Sequence, residues 1–155
     1  MNGDKQDNPK NSGEYFIDDF IYPGAKKIKI SLNDLNVVYS STAHALGSAE
    51  SLLSKIIEGH VHHSEHVAVL KRRISVYSTV LSLCRNALDK DEDIELNLKS
   101  FDLKLLIQML EYELKLTQAF KKLSSLNMEN LNKEYSRLKK VYTELSVIYE
   151  NSIPH

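Results

Sequence analysis

IKISLNDL, Ile28 to Leu35, and IELNLKSF, Ile94 to Phe101, carry nearly the same pattern at an offset of 66, residue 28 against residue 94. Each reads apolar, polar, apolar, cap-type residue, Leu, two polar residues, apolar. Alternation at period two is the signature of a half-buried strand, and the cap-type residue followed by a leucine marks the switch to a helix. Both stretches are therefore expected to be short strands running into helices, with Ser31 and Asn97 as the caps. Ser31 followed three residues later by Asp34 approximates a capping box.

A second match keeps almost the same distance. RRISVYSTV, Arg72 to Val80, and RLKKVYTEL, Arg137 to Leu145, share Arg, Val-Tyr, Ser or Thr, and an aliphatic at an offset of 65, residue 72 against residue 137. Two matches at one period point to a β-α-α unit used twice, with half-units 27–89 and 93–153 and an approximate twofold axis between them.

The helices follow from apolar spacing at three and four. The first is marked by Leu32, Leu35, Tyr39, Thr42, Leu46, Ala49, Leu53 and Ile56, with Gly59 as its stop. Its STAHALGSAES stretch is rich in small residues, so a neighbouring helix is expected to approach closely there. The second carries Val67, Leu70, Ile74, Tyr77, Leu81, Cys84 and Leu88 and ends at DKDED. The third, Phe101 to Leu123, is apolar over a wide arc and should be the most buried. The fourth shows Met128, Leu131, Tyr135, Leu138, Tyr142, Leu145 and Tyr149. Short turns between long amphipathic helices favour antiparallel neighbours. The expected fold is mainly α: a four-helix antiparallel bundle with a two- or three-stranded β element, a single domain over 14–153.

Composition agrees. A chain of 155 residues with 42% hydrophobic and 26% charged residues is ordinary for one globular domain. No apolar run approaches the ~20 residues of a membrane-spanning helix. The start, MNGDKQDNPKNSGEYF, lacks the layout of a secretory signal, and the lone Cys84 has no partner for an internal disulfide, so a cytoplasmic protein is expected. Residues 1–13 hold almost nothing that packs and are expected to form a disordered tail.

Chemistry signals are few. GHVHHSEH, Gly59 to His66, gathers four of the six histidines: His60, His62, His63 and His66. A zinc site needs three or four converging ligands, and no second pair of His or Cys accompanies this group, so a polar turn outweighs a metal site. Imidazoles beside a helix N-terminus are also poised to change charge near neutral pH, which makes a metal- or pH-responsive regulator the rival functional reading. Two basic clusters, Lys71-Arg72-Arg73 and Arg137 with Lys139-Lys140, fall at equivalent places in the repeat; they read first as the solvated face of their helices and second as a basic patch for phosphates or an acidic partner. A net charge of -1 argues against nucleic acid as the main partner. Cys84 lies in an apolar stripe, the place of a small buried side chain and not of a nucleophile. The chain has no glycine-rich phosphate loop, Gly-x-Ser-x-Gly, His-Glu-x-x-His or Glu-x-x-His pattern. No enzymatic activity and no cofactor are expected.

The richest recognition signal is EYFIDDFIYPG, where Tyr15, Phe16, Phe20 and Tyr22 surround Asp18 and Asp19. Packing of this segment on its own bundle as a third strand competes with docking on a partner. The leading expectation is a non-catalytic protein–protein interaction module, with a second copy in a homodimer as another form of partner. A lysine-rich bundle of this kind fits an inhibitor or regulator carried by a phage or mobile element. It would dock on a host protein such as a nuclease, with Asp18, Asp19, Asp89, Asp91, Glu92 and Asp93 answering basic surface.

Overall fold

The computed structural model describes residues 25–59, 64–123 and 128–151. In chain order these form β1 (Lys26–Ile30), α1 (Leu32–Glu58), α2 (Ser64–Lys90), β2 (Ile94–Leu98), α3 (Ser100–Leu123) and α4 (Met128–Asn151). The result is a four-helix bundle beside a two-stranded antiparallel sheet, mainly α as the periodicity predicts. The third strand considered for the sheet belongs to the segment before Ala25, outside the described residues.

Alternation decides which way each strand faces. Ile28, Ile30, Ile94, Leu96 and Leu98 are buried, while Lys27, Lys29, Glu95 and Asn97 point outward. Ile28 pairs with Leu96 and Ile30 with Ile94, so the inner face of the ribbon is a continuous apolar surface on which the helices pack. Each buried aliphatic side chain contributes ~2 kcal/mol of transfer free energy. The core draws on every element, with Leu35 and Val38 from α1, Val80 and Cys84 from α2, Leu103, Leu106 and Leu110 from α3, and Leu138, Val141 and Leu145 from α4. Helix α3 has eight buried residues against six on α1, in keeping with its wide apolar arc.

The order β-α-α occurs twice along the chain, and the strand pairing relates the two stretches in a register that differs from the sequence matches. A half-turn about an axis through the Ile28–Leu96 pair carries β1 onto β2, with residue 28 falling on residue 96 in place of residue 94. The following helices, which begin at Leu32 and Ser100, keep the same shift. Leu35 then corresponds to Leu103, Val38 to Leu106, Ser41 to Met109, Thr42 to Leu110 and Ala49 to Thr117, and all ten are buried. Asn97 consequently lies inside β2 and caps nothing. The reason for the slip is periodicity: strand alternation is unchanged by a shift of two, and helical stripes match nearly as well after a shift of three.

The two halves are also joined by equivalent ion pairs. Asp34 at the start of α1 accepts from Lys140 of α4 at 2.8 Å, and Asp102 at the start of α3 accepts from Nε of Arg72 on α2. The structural register that places Leu32 on Ser100 also places Asp34 on Asp102 and Arg72 on Lys140. Both links cross from one half to the other.

Helix ends show how much of the capping is tertiary. Ser31 makes no side-chain bond to the α1 backbone; its hydroxyl donates to Asp34 at 3.1 Å instead. The Leu32 amide donates at 2.8 Å to Asp93, a carboxylate from the foot of β2. Negative charge at a helix N-terminus meets the helix dipole favourably, so the second half caps the first. Helix α2 ends with Asp91 at φ 54, while the Glu92 amide donates to the Ala87 carbonyl at 2.9 Å and the Asp91 amide to Leu88 at 3.4 Å. This Schellman arrangement turns the chain into β2.

Candidate interaction cleft

A cleft of about 290 Å³ lies where α1, α2 and α3 meet. Its walls arise from residues sharing a helical face. Ala45, Ser48, Ala49 and Leu52 come from α1; Leu70, Arg73 and Tyr77 from α2; Gln108, Met109, Tyr112 and Glu113 from α3. The small α1 residues leave the space. Ala49, Leu70, Tyr77 and Met109 are buried and form an apolar floor, whereas Leu52 and Tyr112 at the mouth are 50% and 59% exposed.

Two charged features border this floor. His44 reaches from α1 to α3, its Nδ1 2.7 Å from Oε2 of Glu113, where it donates when it carries the proton. The Glu113 side chain is 13% exposed, so the contact is sheltered on the carboxylate side. Arg73 is half-buried beside Tyr77. Burial pushes the Tyr77 phenol above its usual range, opposed by the Arg73 guanidinium and reinforced by the Glu113 carboxylate. Tyr77 therefore remains a protonated O–H donor at neutral pH. Among the described residues no carboxylate pairs with Arg73: Glu113 is held by His44, and Asp102 by Arg72.

A shallower groove continues from the cleft along the outer side of α1, through Ala43, Gly47, Ser48, Ser51 and Lys55. A Cβ placed on Gly47 would meet nothing within 4 Å. At this glycine the expectation of close helix approach does not hold. The small residues here leave open surface, because α2 packs against the neighbouring face.

The residues singled out from the sequence are dispersed. Tyr15, Phe16, Asp18, Asp19, Phe20 and Tyr22 lie outside the described residues, as do His60, His62 and His63. His66 is exposed in the first turns of α2. Among the described residues there is no group of three or more His, Cys, Asp or Glu able to hold a metal ion. Of the basic clusters, Arg72 and Lys140 form the ion pairs between halves, Arg137 donates to the Asn33 carbonyl, Arg73 turns into the cleft, and Lys71 and Lys139 are exposed. Cys84 is fully buried and its thiol is pushed up to about 11 by desolvation. Sequence reading missed His44, Tyr112 and Glu113. The one usable signal was the small-residue stretch of α1, which marks the cleft wall.

The chain matches no protein-family model, no curated protein and no solved structure. No helix among the described residues is long and apolar enough to cross a membrane.

Proposed function

We propose that this chain is a non-catalytic interaction module that docks a partner protein over the cleft between α1, α2 and α3. The observation that carries this is the exposure of large apolar side chains around an apolar-floored concavity. Leu52 and Tyr112 frame the cleft, and Phe120 and Leu123, 63% and 86% exposed, lie two and three turns further along α3 from Tyr112. Contiguous apolar surface with a polar rim is what protein interfaces use. The dispersal of the basic clusters supports a protein partner over nucleic acid, since Arg72, Arg137 and Lys140 are engaged within the fold and less free to bind phosphates. Cys84, buried and protonated at neutral pH, is not positioned to attack a substrate.

The test is affinity capture with the full chain from its source cells, followed by reconstitution with the captured protein and size-exclusion chromatography. A stable complex is expected, and Leu52→Glu combined with Tyr112→Glu should weaken it by about 100-fold or more, since each places a charge in a desolvated contact. A complex indifferent to both substitutions, or no complex at physiological concentration, overturns the reading.

A further inference from the structure

We propose that the cleft takes a segment of the partner protein in which an aliphatic or aromatic side chain stands next to a carboxylate, with the carboxylate pairing with Arg73. This rests on the reading of the chain as a protein-docking module and specifies the chemistry of what it docks. Arg73 is half-buried on α2, and no carboxylate of the described residues pairs with it. A guanidinium has five N–H donors in a rigid fork, and shelter from water raises the cost of leaving them unmet. An incoming carboxylate satisfies two of them at once, in the bidentate geometry that suits arginine. Tyr77, buried directly beside Arg73 and held in its protonated form, adds an O–H donor to the same corner.

The remaining walls select the group that accompanies the acid. Ala49, Leu70, Met109 and Tyr112 offer aliphatic, thioether and aromatic surface, and His44, the other basic group of the lining, is held by Glu113. Glu113 on α3, paired to His44 and, like Arg73, close enough to act on the Tyr77 phenol, disfavours a second acid on the α3 side of the floor. The carboxylate is therefore expected on the α2 side, with the apolar group lying between α1 and α3. Surface beyond the cleft decides between a small organic acid and a protein. Leu52 and Tyr112 at the mouth, and Phe120 further along α3, remain half or more exposed, and an acid small enough to fill 290 Å³ would leave that surface in water. A protein segment covers it.

The experiment titrates the full chain with two capped peptides, acetyl-Leu-Phe-Asp-amide and acetyl-Leu-Phe-Asn-amide, and with 3-phenylpropionate, following backbone amide shifts by NMR. The Asp peptide should perturb amides of residues lining the cleft and bind about five- to tenfold more tightly than the Asn peptide, the scale of a partly exposed charged pair. Arg73→Gln should remove that difference. Ser48→Trp, which fills the cleft from an exposed position on α1, should abolish both interactions while the melting curve stays cooperative. Equal affinity for the two peptides, shifts confined to other faces, or a preference that survives Arg73→Gln overturns the carboxylate assignment. Binding of 3-phenylpropionate as tight as that of the Asp peptide overturns the protein source. Any of these results beside a captured complex that depends on Leu52 and Tyr112 removes the assignment to Arg73 and leaves the docking module standing; peptide discrimination without any captured partner removes the module.

Discussion

The first and second halves of this molecule share a frame and differ in one face. In the register set by the Ile28–Leu96 pair, the small α1 residues Ala45, Ser48 and Ala49 correspond to Glu113, Leu116 and Thr117 of α3, and Gly47 to Lys115. Leu35 and Leu103, and Val38 and Leu106, keep the core apolar in both halves, whereas buried Ser41, Thr42 and Thr117 correspond to Met109, Leu110 and Ala49; the two interhalf ion pairs are kept in charge. The cleft opens along the half in which side chains are small. The comparison separates two demands on one fold: the positions that meet at the strand ribbon stay aliphatic in both halves, while the flank of α1 beside α2 and α3 can be hollowed by small side chains above a buried floor.

The largest expected effect tests the shared frame. Leu35→Ala and Leu103→Ala remove equivalent, fully buried side chains, and each should cost about 3 kcal/mol, equal within about 1 kcal/mol, in urea unfolding. A much larger loss at one site would break the equivalence. Next comes alkaline pH, to which the halves should respond unequally. Cys84 and Tyr77 are core residues of α2, both with raised pKa values, and the position equivalent to Tyr77 is Leu145. The thiol ionises near 9 when unfolded and at about 11 when folded, so stability is present below pH 9 and falls as pH rises from 9 towards 11. The loss should be on the order of 2 kcal/mol, and Cys84→Ala should flatten that part of a stability-against-pH curve.

The ion pairs sharpen the comparison further. Arg72→Met should destabilise by about 1–2 kcal/mol, because Arg72 and Asp102 are only 19% and 16% exposed and the carboxylate is left without that partner. Lys140→Met should lower the melting temperature by a similar amount, since the lysine side chain is 53% exposed but the Asp34 carboxylate it leaves is only 5% exposed and keeps the Ser31 hydroxyl as its remaining donor. The smallest effect is a gain. Gly47→Ala should stabilise by about 0.5–1 kcal/mol, since the added methyl meets no atom and the second half already tolerates Lys115 there. No gain in thermal unfolding would mean that the open face of α1 is covered.

Much of this was legible in the chain itself. Alternation at Ile28–Ile30 and Ile94–Leu98, and apolar spacing through Leu35, Tyr77, Leu106 and Leu145, mark strands and helices because burial on one side imposes periods of two and 3.6. The cleft was not legible. Its walls bring together residues from three helices, and a half-buried Arg73 reads in sequence like its exposed neighbour Lys71. Arg72, beside both, is an ion-pair partner only because Asp102 is carried to it by the packing of α3.

The amino-acid sequence alone therefore determined the element types and their order, which follow from local period and chain proximity. Tertiary structure decided the register between the two halves, the caps and ion pairs that join them, and the place where small side chains open a cleft. Periodic patterns match themselves after a slip of two or three positions. Only the pairing of Ile28 with Leu96, a contact between strands far apart in the chain, selects one register, and the contacts that join the two halves follow from that choice.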